Sequence, residues 1–150
     1  IRLGVETSVG DTEKAYRLLG QEIPSQSRAG GGEVSLRTVV SIPVFLQTGH
    51  DETDVRVDAE AGARRVAAHV INSGSVHVSV DAVGFRGLDA EGRVAFEDSV
   101  PGWYVLAGRS HRFDLELTPA MCAAATTIEV DAVMHGEIIA HTIDAAAACR

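Results

Sequence analysis

The stretch Thr127-Ile128-Glu129-Val130-Asp131-Ala132-Val133-Met134-His135-Gly136-Glu137 decides the fold class. Ile128, Val130, Ala132 and Met134 fall on one face of an extended chain, and Thr127, Glu129, Asp131 and Val133 fall on the other. A period of two marks a strand that buries one face and wets the other. His135-Gly136 supplies a two-residue turn, with glycine where positive φ is cheap, so the spacing predicts a hairpin. Cys122 lies twelve residues before Met134 and Cys149 twelve after Glu137. The hairpin register therefore sets the two cysteines opposite each other at its open end, within reach of a disulfide. Closing that loop is worth roughly 3–4 kcal/mol in the chain-entropy account, and it implies an oxidising compartment, periplasm or outside. The other reading is two unpaired thiols in a cytosolic chain.

The same alternation recurs outward from this hairpin. Val55, Val57 and Ala59 alternate with Asp54, Arg56 and Asp58, and Phe113, Leu115 and Leu117 with Arg112, Asp114 and Glu116. Val66, Ala68 and Val70 precede the turn Asn72-Ser73-Gly74-Ser75, and Val76, Val78 and Val80 follow it. That spacing predicts a second hairpin, with His69 and His77 nearly opposite on its wet face. Glycine-bearing turns come about every 8–12 residues, as in immunoglobulin-like sandwiches. Helix signals are weak. Asp11 offers a cap for one turn over Thr12-Glu13-Lys14-Ala15, and the Ala-rich segments near 120–126 and 145–148 are too short to stand alone. The expected fold is an all-β, immunoglobulin-like antiparallel sandwich.

Composition narrows the partners. The chain has 150 residues, 45% hydrophobic, with 15 glycines, two cysteines and a formal net charge of −8. That length accommodates one domain or two small ones, and the apolar content argues against disorder. The acidic balance argues against nucleic acid and anionic membrane surfaces. The longest apolar run, Val39 to Leu46, contains Ser41 and Pro43 and falls well short of the ~20 residues a spanning helix needs, so no membrane insertion is expected. Composition shifts once, in the polar stretch Gln47 to Thr53. The expected division is residues 1–47, a linker at 48–53 and a second domain at 54–150. About seven strand candidates after the linker suffice for a whole sandwich, while about three before it do not. Ile1-Arg2-Leu3-Gly4-Val5 reads as the inside of a strand, so the first domain is expected to be incomplete, with earlier strands and any signal peptide lying outside this chain.

Residues 16–46 carry a more specific likeness. Tyr16-Arg17-Leu18-Leu19-Gly20-Gln21-Glu22-Ile23-Pro24 resembles the penultimate strand of the first domain of PapD-like periplasmic pilus-assembly chaperones. After a glycine-rich loop, Ser25 to Gly32, the segment 33–46 resembles that domain's last strand, and Ser41-Ile42-Pro43-Val44-Phe45 is most similar to the archaic, or alternative, branch of chaperone-usher systems. Residues 54–150 then resemble the second immunoglobulin-like domain. The resemblance implies a chaperone that lends its last first-domain strand to pilin-like or coat subunits and passes them to an outer-membrane usher. Backbone hydrogen bonds would supply affinity, and alternate side chains would fill the subunit's groove. It assigns Val34, Leu36, Thr38 and Val40 as the subunit-binding residues; filling their own domain's core is the other reading, and both hold for a strand with two faces. Two departures limit the carry-over. Pro43 stands where the better-known branch has a basic residue anchoring the subunit's carboxylate, and the first strand, which carries the arginine that shares that role, is absent from this chain, so the anchor is not assigned. Pro43 also lacks the N–H that strand addition needs. An incomplete first domain is also expected to favour homodimers or strand swapping.

Enzymatic signals are absent from the sequence. No Gly-x-Ser-x-Gly, P-loop, Cys-x-x-Cys or His-Glu-x-x-His pattern occurs. Ser110, His111 and Asp114 are close in sequence, but alternation sends Ser110 and His111 to opposite faces. His69 and His77 have no third ligand nearby, so the expectation is no metal and no cofactor. His141 shares a face with Ile139 and Ile143 and reads as a partly buried histidine. Trp103 and Tyr104, after Pro101-Gly102, read as a plug at a sandwich end or as an exposed contact. The competing functional class is a non-enzymatic, immunoglobulin-like surface module, adhesive or pilus-subunit-like. A metal-dependent enzyme is a third.

Overall fold

Alternation builds strands along most of the chain, and a computed structural model describes residues 4, 6–8, 10–23 and 37–150. Two units divide between Thr48 and Gly49. The first contains β1 (Lys14–Gln21) and β2 (Val39–Leu46), paired antiparallel with Lys14 opposite Leu46 and Gln21 opposite Val39. No helical turn forms at residues 11–15. Lys14 already opens β1, so pairing with β2 overrides the local cap signal of Asp11.

In the second unit the strands are β3 (Val55–Gly62), β4 (Arg65–Asn72), β5 (Val78–Ser79), β6 (Ala82–Leu88), β7 (Val94–Pro101), β8 (Tyr104–Val105), β9 (Arg109–Glu116), β10 (Thr127–Met134) and β11 (Glu137–Asp144). Two short helices, α1 (Pro119–Ala124) and α2 (Ala145–Ala148), flank the β10–β11 hairpin. One sheet has the order β3-β4-β9, another β11-β10-β6-β7, and β5 pairs with β8. The sheets bury their facing residues together. Val66, Val70 and Phe113 from one, and Val83, Phe85, Ile128 and Val130 from the other, join a single apolar cluster. The molecule is all-β, with its core between two sheets.

The expected hairpin over residues 127–144 forms with the register read from the sequence. Thr127 faces Asp144 and Met134 faces Glu137. Its two turn residues, His135 and Gly136, have φ of 51° and 83°, the left-handed pair such a turn demands. The hairpin expected over residues 66–80 does not form. Both edges of β4 are taken, by β3 and β9, and Val78–Ser79 turns instead to Tyr104–Val105. Asn72, 1% exposed, organises this departure. Its side-chain amide donates to the carbonyls of Val76 (2.8 Å) and Val105 (3.0 Å) and accepts from the Gly74 N–H (2.9 Å). A buried amide so fully satisfied replaces a backbone ladder at this corner.

Candidate functional site

The site the sequence points to is the β1–β2 ribbon. Glu22 N–H donates to the Thr38 carbonyl at 3.0 Å, extending the ladder beyond both strands. Bonded and non-bonded pairs alternate in an antiparallel ladder, so Gly20/Val40, Leu18/Ile42 and Tyr16/Val44 are the bonded pairs. Val39, Ser41, Pro43 and Phe45 therefore turn their backbone groups away from β1. Pro43 sits on that outward edge. Its missing N–H costs the β1 ladder nothing and interrupts the outer edge after Ser41.

Side chains follow the same phase. Val40, Ile42, Val44 and Leu46 share one face with Tyr16 and Leu18, and Thr38 continues it. Tyr16 and Val40 are each 49% exposed, and Ile42 48%. The lower part of this face is a groove of about 500 Å³ lined by Tyr16, Leu18, Val44 and Leu46, with Glu6 and Thr7 on its margin. The opposite face is more polar, and there Arg17 Nη1 donates to Ser41 Oγ at 3.2 Å. Of the four residues assigned to subunit binding, Thr38 and Val40 lie on the apolar face, and Val34 and Leu36 lie outside the described residues. Tyr16, Leu18, Ile42 and Val44 were not singled out from the sequence. Counting by twos from Val40 reaches the β2 residues, but the two β1 residues need the cross-strand register.

The cysteine pair is a second feature. Cys122 and Cys149 are joined by a disulfide, with Cα atoms 5.6 Å apart. The hairpin ladder ends at Thr127 and Asp144, so the bridge links not two strands but two helical turns beyond it. Thr118 Oγ1 accepts from Met121 N–H at 3.2 Å, and Asp144 Oδ1 accepts from Ala146 N–H at 2.8 Å. These caps start helices too short to persist alone, and the bridge holds them together.

Charged and histidine side chains form structural pairs. On the outer face of β3-β4-β9, Glu60 accepts from Arg112 at 3.1 Å and lies 3.1 Å from His69 Nε2. Arg112 also donates to Asp114 at 2.9 Å, and that bond, ahead of Glu60, raises the guanidinium further above its ordinary value. His69 and His77 do not face each other, because β4 and β5 belong to different sheets. His141 is half-buried opposite Val130, on the interior side of β11. Trp103 is 51% exposed and stacks on Tyr104 with ring centroids 5.1 Å apart. No three potential metal ligands converge among the described residues, and no helix there is long and apolar enough to cross a membrane. No known protein family, characterised protein or solved structure matches the chain.

Proposed function

We propose that this chain is a periplasmic chaperone of the chaperone-usher type, which binds pilus or surface-coat subunits through β2 and delivers them to an outer-membrane usher. The observation that carries the reading is the geometry of β2. Among the described residues it pairs with β1 alone, and its other edge turns out the backbone groups of Val39 and Ser41. Thr38, Val40 and Ile42 stand alternately on one apolar face, the arrangement a strand needs when it is added to an incomplete sheet. Covering such an edge and face removes a site of aggregation from both partners. Each aliphatic side chain buried in a subunit groove contributes roughly 1.5–3 kcal/mol.

Two further features support the reading. The sheet orders β3-β4-β9 and β11-β10-β6-β7 suit an immunoglobulin-like second domain. A disulfide suits an oxidising compartment. The chemistry of lending a strand requires no catalytic group and no nucleotide. Co-expression with pilin-like subunits from the same locus should give a 1:1 complex on size exclusion. Val40→Asp, at an exposed position, should abolish that complex while leaving the chain folded by circular dichroism. Retention of the complex in Val40→Asp would defeat the reading.

A further inference from the structure

The outer face of the β11-β10-β6-β7 sheet carries a pattern that strand lending does not use. The register aligns Ile138, Val133, Ala82 and Pro101 in one row across all four strands. All four are apolar, and Ile138 is 65% exposed. The outer face of β3-β4-β9 shows no such row: Asp58, His69 and Arg112 stand abreast there, as do Gly62, Arg65 and Glu116. Water-facing positions of a sheet ordinarily carry polar residues, so an apolar row across a whole sheet marks a covered surface.

The next row gives the partner's chemistry. It reads Ala140, Asp131, Gly84, Ser99. The Asp131 carboxylate interacts electrostatically with Arg86 of the third row. Gly84 leaves a hollow beside it, since an added Cβ would meet only Asp131 atoms at 3.9 Å. In the third row Arg86 is held between Glu129 (3.3 Å) and Glu97 (3.5 Å), so Asp131 shares this one cation with two other carboxylates. The face therefore presents an apolar row beside three carboxylates that share one cation, a net negative charge.

We propose that this face docks a partner protein through a segment carrying an apolar side chain next to a lysine or arginine. The apolar group covers Val133 and Ala82, and the cation settles over Gly84 against Asp131. A second copy of this chain is a poor occupant, because it brings the same acidic face and a net charge of −8. The proposal concerns the second unit alone and stands apart from the strand-lending reading.

The test is an amide NMR titration of the full chain with acetyl-Lys-Leu-Lys-Leu-Lys-amide, in about 0.15 M salt to screen diffuse attraction. Shifts should cluster at Asp131, Val133, Gly84 and Ile138, and the peptide with Glu for Lys should cause none. Asp131→Asn and Ile138→Ser, both at solvent-facing positions, should each weaken the basic peptide about tenfold or more, roughly 1.4 kcal/mol. Shifts scattered over the acidic surface, or affinity unchanged in both variants, would overturn the proposal. So would a dimer in sedimentation that Ile138→Ser dissolves, since that assigns the face to a second copy.

Discussion

The two units are built from strands of the same length and the same alternating habit. Strands β1 and β2 have eight residues each, as do β4 and β10. Their side chains fare differently. In β10 every second residue is buried, and in β4 Val66, Ala68 and Val70 are fully so. In β1 and β2 no residue is buried, and among the described residues seven of the ten large exposed hydrophobic side chains belong to the first unit. Alternation alone thus selects a face without supplying its cover. A second sheet supplies it in one unit; in the other, among the described residues, no second sheet covers the apolar face of Tyr16, Leu18, Val40 and Ile42.

Substitutions should separate the units by size of effect. Phe85, 1% exposed at the centre of the sandwich, should cost roughly 3–5 kcal/mol when cut to Ala, measured as a lower urea midpoint for the second unit. If Phe85→Ala costs under about 1 kcal/mol, the core has been placed in the wrong strands. Removing the bridge with Cys122→Ala and Cys149→Ala should cost roughly 2–4 kcal/mol in the same transition, and dithiothreitol should reproduce the loss in the unsubstituted chain. Ile42→Ser should move that transition by less than about 0.5 kcal/mol while lowering binding of a dye for apolar surface. A large destabilisation there would show that the ribbon's apolar face is covered in solution.

The smallest effect belongs to the β6–β7 turn. Asp89 accepts from the N–H groups of Arg93 (2.8 Å) and Glu91 (3.0 Å) and from Arg93 Nε (2.8 Å). The Arg93 backbone bond, foremost, holds its carboxyl below the ordinary value. A depressed carboxyl stabilises the fold above its unfolded value of about 3.9, and that contribution fades as pH falls further. Asp89→Asn should therefore lower stability slightly at neutral pH, where the ionised carboxyl contributes, and match the unsubstituted chain in acid, which flattens the acid limb of the stability curve. An acid limb of unaltered slope would show that the turn contributes nothing.

What could be read from the sequence follows from distance along the chain. The β10–β11 hairpin was legible because Gly136 and the flanking alternation fix a local register. The cysteine pairing came with it, although the helical turns that carry the bridge showed only as Ala-rich segments too short to stand alone. Partners of β4 were not legible: alternation in Val66–Val70 names a buried face but says nothing of which distant strand lies alongside. The Asn72 side chain, doing the work of a ladder, looked like an ordinary turn residue. For the candidate site, Thr38 and Val40 share the apolar face that counting by twos assigns. The direction of Pro43's missing donor needed the bond between Glu22 and Thr38.

One turn has a consequence for how the second unit is made. Ala63 and Arg64 both hold positive φ, 52° and 57°, an uncomfortable pair for side chains larger than glycine's. The Arg64 N–H is satisfied by the Ala148 carbonyl at 2.8 Å, and the Arg64 carbonyl by Leu117 N–H at 2.8 Å. A ribosome releases residue 64 long before residue 148. The first hairpin of the unit therefore emerges without the acceptor that completes its turn, and the unit closes on itself only when its last helical turn arrives.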